Sequence, residues 1–286
     1  MSTLSAHYDT PVSTTGQGLR IGVFDSGVGG LSVLRAIREV MPQADLVYVA
    51  DSANAPYGER SDAFIQERSR EISHFLKNQD VNGIVVACNT ATAVAVQELR
   101  QNLPQLPIIG VEPGIKPGIA QSQSKRVGVL ATPGTLASQK FKSLVARHGG
   151  DADLFLQPCP GLAKAIEAGD LNRPELLDLV DHFCAPLKAA KVDTVVLGCT
   201  HYPFIAQQLR AALGPDVELL DTARAVARHT ATLLGGLHDA KNPVRATHGS
   251  VELWTTGSPE HLQRVAQSWL GWPLAARVMP HSLPAK

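Results

Sequence analysis

The chain has 286 residues, enough for one large domain or two of ordinary size, and its 44% hydrophobic content can fill substantial cores. Its 26 Lys and Arg balance 26 Asp and Glu, which argues against a dedicated surface for nucleic acid or anionic membrane. Four cysteines, at 88, 159, 184 and 199 with no C-x-x-C pair, are too sparse for a disulfide scaffold or a zinc module. Free thiols suit a reducing compartment.

Residues 1–18 are rich in Ser, Thr and Gly and lack an apolar stretch. They do not read as a signal peptide and are expected to form a short disordered extension. No later run approaches the roughly 20 apolar residues that span a bilayer, so the protein is expected in the cytoplasm. From residue 19 on, short β-branched runs alternate with longer amphipathic ones. Strands are expected at Arg20–Phe24, Asp45–Val49, Gly83–Ala87, Ile108–Val111, Arg126–Leu130, Asp193–Leu197 and Val217–Leu220. Helices are expected at Leu31–Val40, Ser61–Asn78, Thr92–Asn102, Ala137–His148, Arg173–Ala190 and Phe204–Leu213. Uninterrupted apolar runs suit strands buried on both faces, and strict alternation with helices predicts parallel α/β sheets with right-handed crossovers. A last strand, Val251–Thr255, precedes a helical pattern to Leu270 that opens with Ser258 as cap and Pro259 in the first turn.

The chain also echoes itself. Gly83–Ala93 (G-I-V-V-A-C-N-T-A-T-A) and Thr194–Phe204 (T-V-V-L-G-C-T-H-Y-P-F) are both an apolar strand, a small residue, Cys, a polar residue and a turn into a helix. Leu19–Gly30 (L-R-I-G-V-F-D-S-G-V-G-G) is matched by Lys125–Thr135 (K-R-V-G-V-L-A-T-P-G-T) at a similar spacing. The expected architecture is two similar, doubly wound α/β lobes with mainly parallel sheets, related by a pseudo-twofold axis, with the site between them. The first lobe would comprise residues 19–112 plus 222–286, the tail packing back onto it, and the second residues 113–221.

In such sheets ligands bind beyond the carboxyl ends of the strands, and that is where Cys88 and Cys199 fall. Each also precedes a helix, whose positive end favours thiolate over thiol. A lone cysteine after a strand is as readily a small buried hydrophobe. Two at equivalent positions of two lobes point instead to chemistry. Inverting a stereocentre by proton transfer needs removal on one face and delivery on the other, which two facing thiols supply without turning the substrate over. Asp25, ending the first strand, can orient Cys88 or exchange a proton with it, and His201 can do so beside Cys199. Asn89, Thr90 and Thr200 flank the cysteines and offer hydroxyl, amide and helix-terminal N–H contacts to a small zwitterion. Asn54–Gly58 (N-A-P-Y-G) is by composition an ordinary Pro/Gly turn.

Taken together, F-D-S-G-V-G-G, A-D-S-A-N-A-P-Y-G, A-C-N-T-A-T-A, A-T-P-G-T, G-C-T-H-Y-P and L-L-D-T-A resemble the bacterial glutamate racemase family, in family order, from position 24 to 223. The likeness continues through W-T-T-G-S-P-E and A-Q-S-W-L-G. The resemblance implies interconversion of L- and D-glutamate without pyridoxal phosphate, metal or other cofactor, in a homodimer that supplies D-glutamate for peptidoglycan synthesis. Motif by motif, Cys88 would take the α-proton from D-glutamate and Cys199 from L-glutamate. Asp25 would assist the first, His201 the second, and Glu167 in A-I-E-A-G would be a further acidic residue on the Cys199 side. Asp25, Ser26, Tyr57, Gly58, Asn89, Thr90, Thr200 and His201, with Thr132 and Thr135, would contact substrate. One departure is the A-D-S-A-N loop, where the commoner form is D-T-A-R. The nearest competing reading is a related two-cysteine racemase for aspartate or another small amino acid. A dinucleotide-dependent oxidoreductase is disfavoured because Gly27, Gly29 and Ser32 do not complete G-x-G-x-x-G and both cysteines would go unexplained. A noncatalytic binding protein of the same fold would have no need to keep both thiols.

Overall fold

The computed structural model describes residues 18–235 and 248–280; the extension expected at 1–18 lies outside them except for its last residue. In chain order the elements are β1 (Arg20–Asp25), α1 (Leu31–Val40), β2 (Asp45–Ala50), α2 (Asp62–Lys77), β3 (Gly83–Val86), α3 (Asn89–Asn102) and β4 (Ile108–Gly110). There follow α4 (Ile115–Gln121), β5 (Arg126–Ala131), α5 (Pro133–Ala137), α6 (Gln139–His148), β6 (Asp153–Pro158), α7 (Leu162–Glu167), α8 (Pro174–Ala189) and β7 (Thr194–Leu197). The chain closes with α9 (Ala206–Leu213), β8 (Glu218–Leu220), α10 (Ala223–Gly235), β9 (Val251–Thr255), α11 (Pro259–Leu270) and β10 (Ala276–Val278).

These strands make two wholly parallel sheets, ordered β10-β9-β2-β1-β3-β4 and β6-β5-β7-β8. Each sheet is the centre of one lobe. The block β2-β1-β3-β4 repeats the order β6-β5-β7-β8, so the echo in the sequence corresponds to an echo in topology. Parallel strands covered by helices on both faces have no wet side, and every residue of β3 and β7 is buried. The order reverses beside the first strand of each lobe, which opens a crevice beyond the ends of β1 and β3 in one and of β5 and β7 in the other. Tail strand β9 pairs with β2, and β10 with β9. Helix α10 packs on α1 and adds Val226, Ala227 and Leu234 to the core around Ile21, Leu31 and Leu34. In the second lobe Leu162 and Ile166 of α7 join Leu130, Val195, Leu197 and Tyr202.

Several boundaries move for local reasons. Helix α3 starts at Asn89 and not Thr92, because the Cys88 sulfur itself caps it, accepting the Ala91 N–H at 3.5 Å. The helix expected at Ala137–His148 is broken at Ser138, which is extended and caps α6 by accepting the Phe141 N–H at 3.1 Å. The one expected from Phe204 begins at Ala206, after a 3-10 turn at Tyr202–Ile205 that contains Pro203.

Candidate active site

The two cysteines occupy matching places. Phe24 of β1 pairs with Val86 of β3, and Leu130 of β5 pairs with Leu197 of β7. Two residues beyond the strand end in each lobe stand Cys88 and Cys199, 5% and 7% exposed. Around them Asp25, Ser26, Asn89, Thr90, Thr132, Thr135, Thr200 and His201 are all buried. So much polar surface is withdrawn from water only where partners compensate for it.

On the first-lobe side, the Asp25 carboxylate accepts the Ser26 N–H at 2.7 Å and the Ser26 hydroxyl at 3.2 Å. Ser26 Oγ in turn lies 3.8 Å from Cys88 Sγ, and the Asp25 carboxyl also interacts with the thiol directly. The other carboxylate oxygen crosses to the second lobe and accepts the Thr200 hydroxyl at 3.0 Å. Burial raises the Asp25 pKa above its ordinary value, against the pull of a charged His201. Burial also pushes the Cys88 thiol well up; Asp25 adds to this, and the Ala91 N–H opposes it. The helix-terminal position was expected to favour thiolate at Cys88. In this closed arrangement one N–H does not offset desolvation plus a neighbouring carboxylate, and Cys88 rests as the thiol.

On the second-lobe side, Cys199 Sγ is 3.7 Å from His201 Nδ1, and His201 Nε2 is 2.7 Å from Glu167 Oε2. Burial alone would lower the His201 pKa. The hydrogen bonds to Cys199 and Glu167 outweigh it and raise the imidazole well above its ordinary value. Because Nε2 faces a carboxylate, it carries a hydrogen in either state of the ring. The pair is then either Cys199 thiol with neutral imidazole or thiolate with imidazolium. Glu167→Gln removes the charge that holds the imidazolium and is expected to move His201's titration midpoint down, read by NMR of its ring nuclei. An unchanged midpoint would contradict the relay.

Glu167 is the residue least visible in the sequence, and its partners explain why. It sits at the end of a six-residue helix and is held across the lobe boundary. Oε2 also accepts the Val28 N–H at 2.8 Å, and Oε1 accepts the Ser52 hydroxyl at 2.7 Å. This close approach needs the loop after β1 to lack side chains at Gly27 and Gly29. A Cβ on Gly27 would fall 2.2 Å from Glu167 Oε2, and one on Gly29 would fall 2.3 Å from His201 Nδ1. The D-S-G-V-G-G run, read from sequence as a tight turn, is the surface on which the second lobe's base assembly rests.

The third part of the site joins the lobes at the other edge. Thr90 Oγ1 lies 3.1 Å from Thr132 Oγ1 and 3.2 Å from Thr135 Oγ1, and the Thr132 hydroxyl donates to Thr135 at 2.9 Å. Tyr57 and Gly58, in a 3-10 turn at Tyr57–Glu59, are buried, and Gly58 lies against Thr132 of this cluster. Asn89 is buried beside Cys88, and its Oδ1 has no hydrogen-bond partner among the described residues. A buried unsatisfied acceptor in a polar site is a docking point for a ligand N–H.

Two contributors were missed from sequence although both stand in quoted motifs. Ser52, in A-D-S-A-N, is the hydroxyl on Glu167. Asp51 beside it is fully buried and accepts from Tyr57 Oη (2.5 Å), Thr256 Oγ1 (2.7 Å), Asn54 Nδ2 (2.9 Å) and both Nε and Nη2 of Arg68 (3.0 Å). It ties down the loop that carries Tyr57 and Gly58. Asn54 and Tyr57 follow it in the same loop, but Arg68 and Thr256 are distant in the chain, so no local pattern announces the whole cluster.

A sequence profile for the Asp/Glu/hydantoin racemase family matches residues 29–230. The glutamate racemase of Ectopseudomonas mendocina is 48% identical over 253 residues, which cover 88% of this chain and 94% of that protein. Among solved structures, Escherichia coli glutamate racemase in complex with L-glutamate and the activator UDP-MurNAc-Ala superposes with a TM-score of 0.80 at 33% identity, covering 91% of this chain and 98% of that one. Glutamate racemase from Francisella tularensis in complex with D-glutamate gives 0.78 at 27% identity, covering 92% and 97%.

Proposed function

Because the chain belongs to the Asp/Glu/hydantoin racemase family, we propose that it interconverts L- and D-glutamate by moving a proton at Cα between Cys88 and Cys199. The observation that carries this reading is the equivalence of the two thiols: each stands two residues past the third strand of its lobe, and the Asp25–Thr200 hydrogen bond joins their surroundings. Glutamate as the substrate rests on the relatives just named.

With L-glutamate bound, Cys199 acts as thiolate beside the His201 imidazolium. The Cα–H bond breaks, an S–H bond forms on Cys199, and the electron pair left on Cα delocalises into the adjacent carboxylate. Cys88 gives its proton to the opposite face and becomes the thiolate. The two sulfurs have exchanged roles, so the enzyme is set for D-glutamate, and the reverse reaction restores the start. Burial and Asp25 keep Cys88 protonated before it acts, which supports this starting assignment. Asp25 and Ser26 serve the Cys88 proton; Glu167 keeps the ring that serves Cys199 charged. Ser26, Tyr57, Gly58, Asn89, Thr90, Thr132, Thr135, Thr200 and His201 hold the zwitterion, with Asn89 Oδ1 free to accept from its ammonium group. In this reading the enzyme works as a cytoplasmic homodimer, its first lobe is residues 19–112 plus 222–286 and its second 113–221, and its product serves peptidoglycan synthesis.

The test is polarimetry on purified protein with L-glutamate and no added cofactor. The rotation is expected to decay to zero. Decay with aspartate but not glutamate would move the substrate and keep the chemistry. No decay with any small amino acid would overturn the racemase reading.

A further inference from the structure

Helix α7 belongs to the second lobe by its core residues, yet both of its ends are held by the first. At its start the Gly161 N–H donates to Glu59 Oε1 at 3.2 Å; Glu59 closes the turn that carries Tyr57 and Gly58. At its end His261 Nε2, on α11, lies 2.8 Å from the Glu167 carbonyl oxygen. A carbonyl only accepts, so His261 Nε2 carries a hydrogen and donates it. The backbone of His261 is held in the first turn of α11, where its amide N–H donates to the capping Ser258 Oγ at 3.1 Å. Gly169, with φ +93, turns the chain away so closely that a Cβ there would come 3.3 Å from His261 Cε1.

A helix of six residues is far below the length that sustains itself in water, roughly 12 residues or more. Its axial rotation and depth are set by what holds it. A turn of one residue step, about 100°, would swing the Glu167 side chain off His201 altogether. We propose that His261, with Glu59 at the opposite end, is a positioning residue that sets α7 so that Glu167 meets His201. This rests on the assignment of Glu167 and His201 to Cys199. It makes the two half-sites unequal. Cys88, Asp25 and Ser26 all sit on the first lobe, whereas the relay behind Cys199 is in register only while the lobes are together.

Racemisation of mirror-image substrates has an equilibrium constant of one, so kcat/KM must be equal in the two directions whatever the variant. Unequal half-sites therefore show in isotope effects. The experiment compares the full-length wild type, His261→Phe and His261→Gln, whose amide nitrogen reaches the place of Nε2. Substrates are L- and D-glutamate with protium or deuterium at Cα. His261→Phe is expected to lower kcat by about tenfold, as misplacement of a catalytic group does. The isotope effect should grow for L-glutamate relative to D-glutamate, because the Cys199 step becomes more limiting. NMR should show the His201 titration midpoint falling in the same variant, and His261→Gln should restore all three. An unchanged isotope-effect ratio and an unchanged His201 midpoint in His261→Phe would overturn the proposal, as would a Gln variant no better than Phe. If the wild type does not act on glutamate, the functional reading fails, and the His201 midpoint alone decides this one.

Discussion

Replacing either Cys88 or Cys199 by serine is expected to lower racemisation of glutamate by on the order of 10³-fold, within the range general acid–base groups contribute. A serine hydroxyl keeps the size and position of the thiol but is a far weaker acid, so neither the alkoxide needed as base nor ready donation from the neutral form is available. The two losses should differ in kind. Cys88→Ser retains Cys199 with His201 3.7 Å away and should exchange the α-proton of L-glutamate with solvent without forming D-glutamate. Cys199→Ser retains Cys88 with Ser26 and Asp25 behind it and should exchange only D-glutamate. Chiral chromatography with NMR of the α-proton distinguishes these outcomes. Full activity in either variant would remove the two-base account.

A single methyl group on Gly29 should be almost as damaging. Its Cβ would lie 2.3 Å from His201 Nδ1 and 2.6 Å from Cε1, and that ring cannot swing aside without leaving both Cys199 and Glu167. Either the lobes part or the imidazole rotates off the sulfur. Both break the Cys199 half-site, and displacement by about 1 Å is enough to cost on the order of 100-fold in rate. The fold should survive, since Gly29 lies in the loop between β1 and α1 and not in a core strand. Gly29→Ala is therefore expected to keep its circular dichroism and lose about two orders of magnitude in kcat/KM. Gly235→Ala, where an added Cβ meets nothing among the described residues within 4 Å, is the control. Comparable activity in the two variants would show that the lobes need not meet through this loop.

These effects also explain what could be read in the sequence. The central strands were legible because burial on both faces makes them uninterrupted apolar runs, as in Gly83–Val86 and Thr194–Leu197. The matched cysteines followed from those strands and their repetition. Strand β6 was missed because it is a half-exposed edge reading D-L-F-L-Q-P with no clean period. Helices α7 and α5, of six and five residues, are too short to show a helical period. Helix α10 has one, but the residues that it packs against, such as Leu34, are far away in the chain.

In the site, residues beside a cysteine or in a glycine-rich turn announced themselves, and those acting across the lobe boundary did not. Glu167 touches Val28, Ser52 and His201, and neither its own segment nor its helix contains a hint of them. The resemblance supplied it where periodicity could not. The upward shift of the Cys88 thiol was not legible for a related reason. The helix terminus is a local feature, whereas the burial and the Asp25 charge that outweigh it are made by the folded lobe.

The most direct test of the central claim is proton transfer followed in D₂O. The enzyme is given protiated L-glutamate, and both enantiomers are separated at low conversion for NMR of the α-position. Two thiols on opposite faces predict deuterium at Cα of the D-glutamate formed, because Cys88 delivers a deuteron taken from solvent, while the L-glutamate that remains keeps its protium, because on that face only Cys199, which holds the abstracted proton, can return one. D-Glutamate carrying the original protium would mean that one group does both, and would contradict the assignment of Cys88 and Cys199 to the two faces.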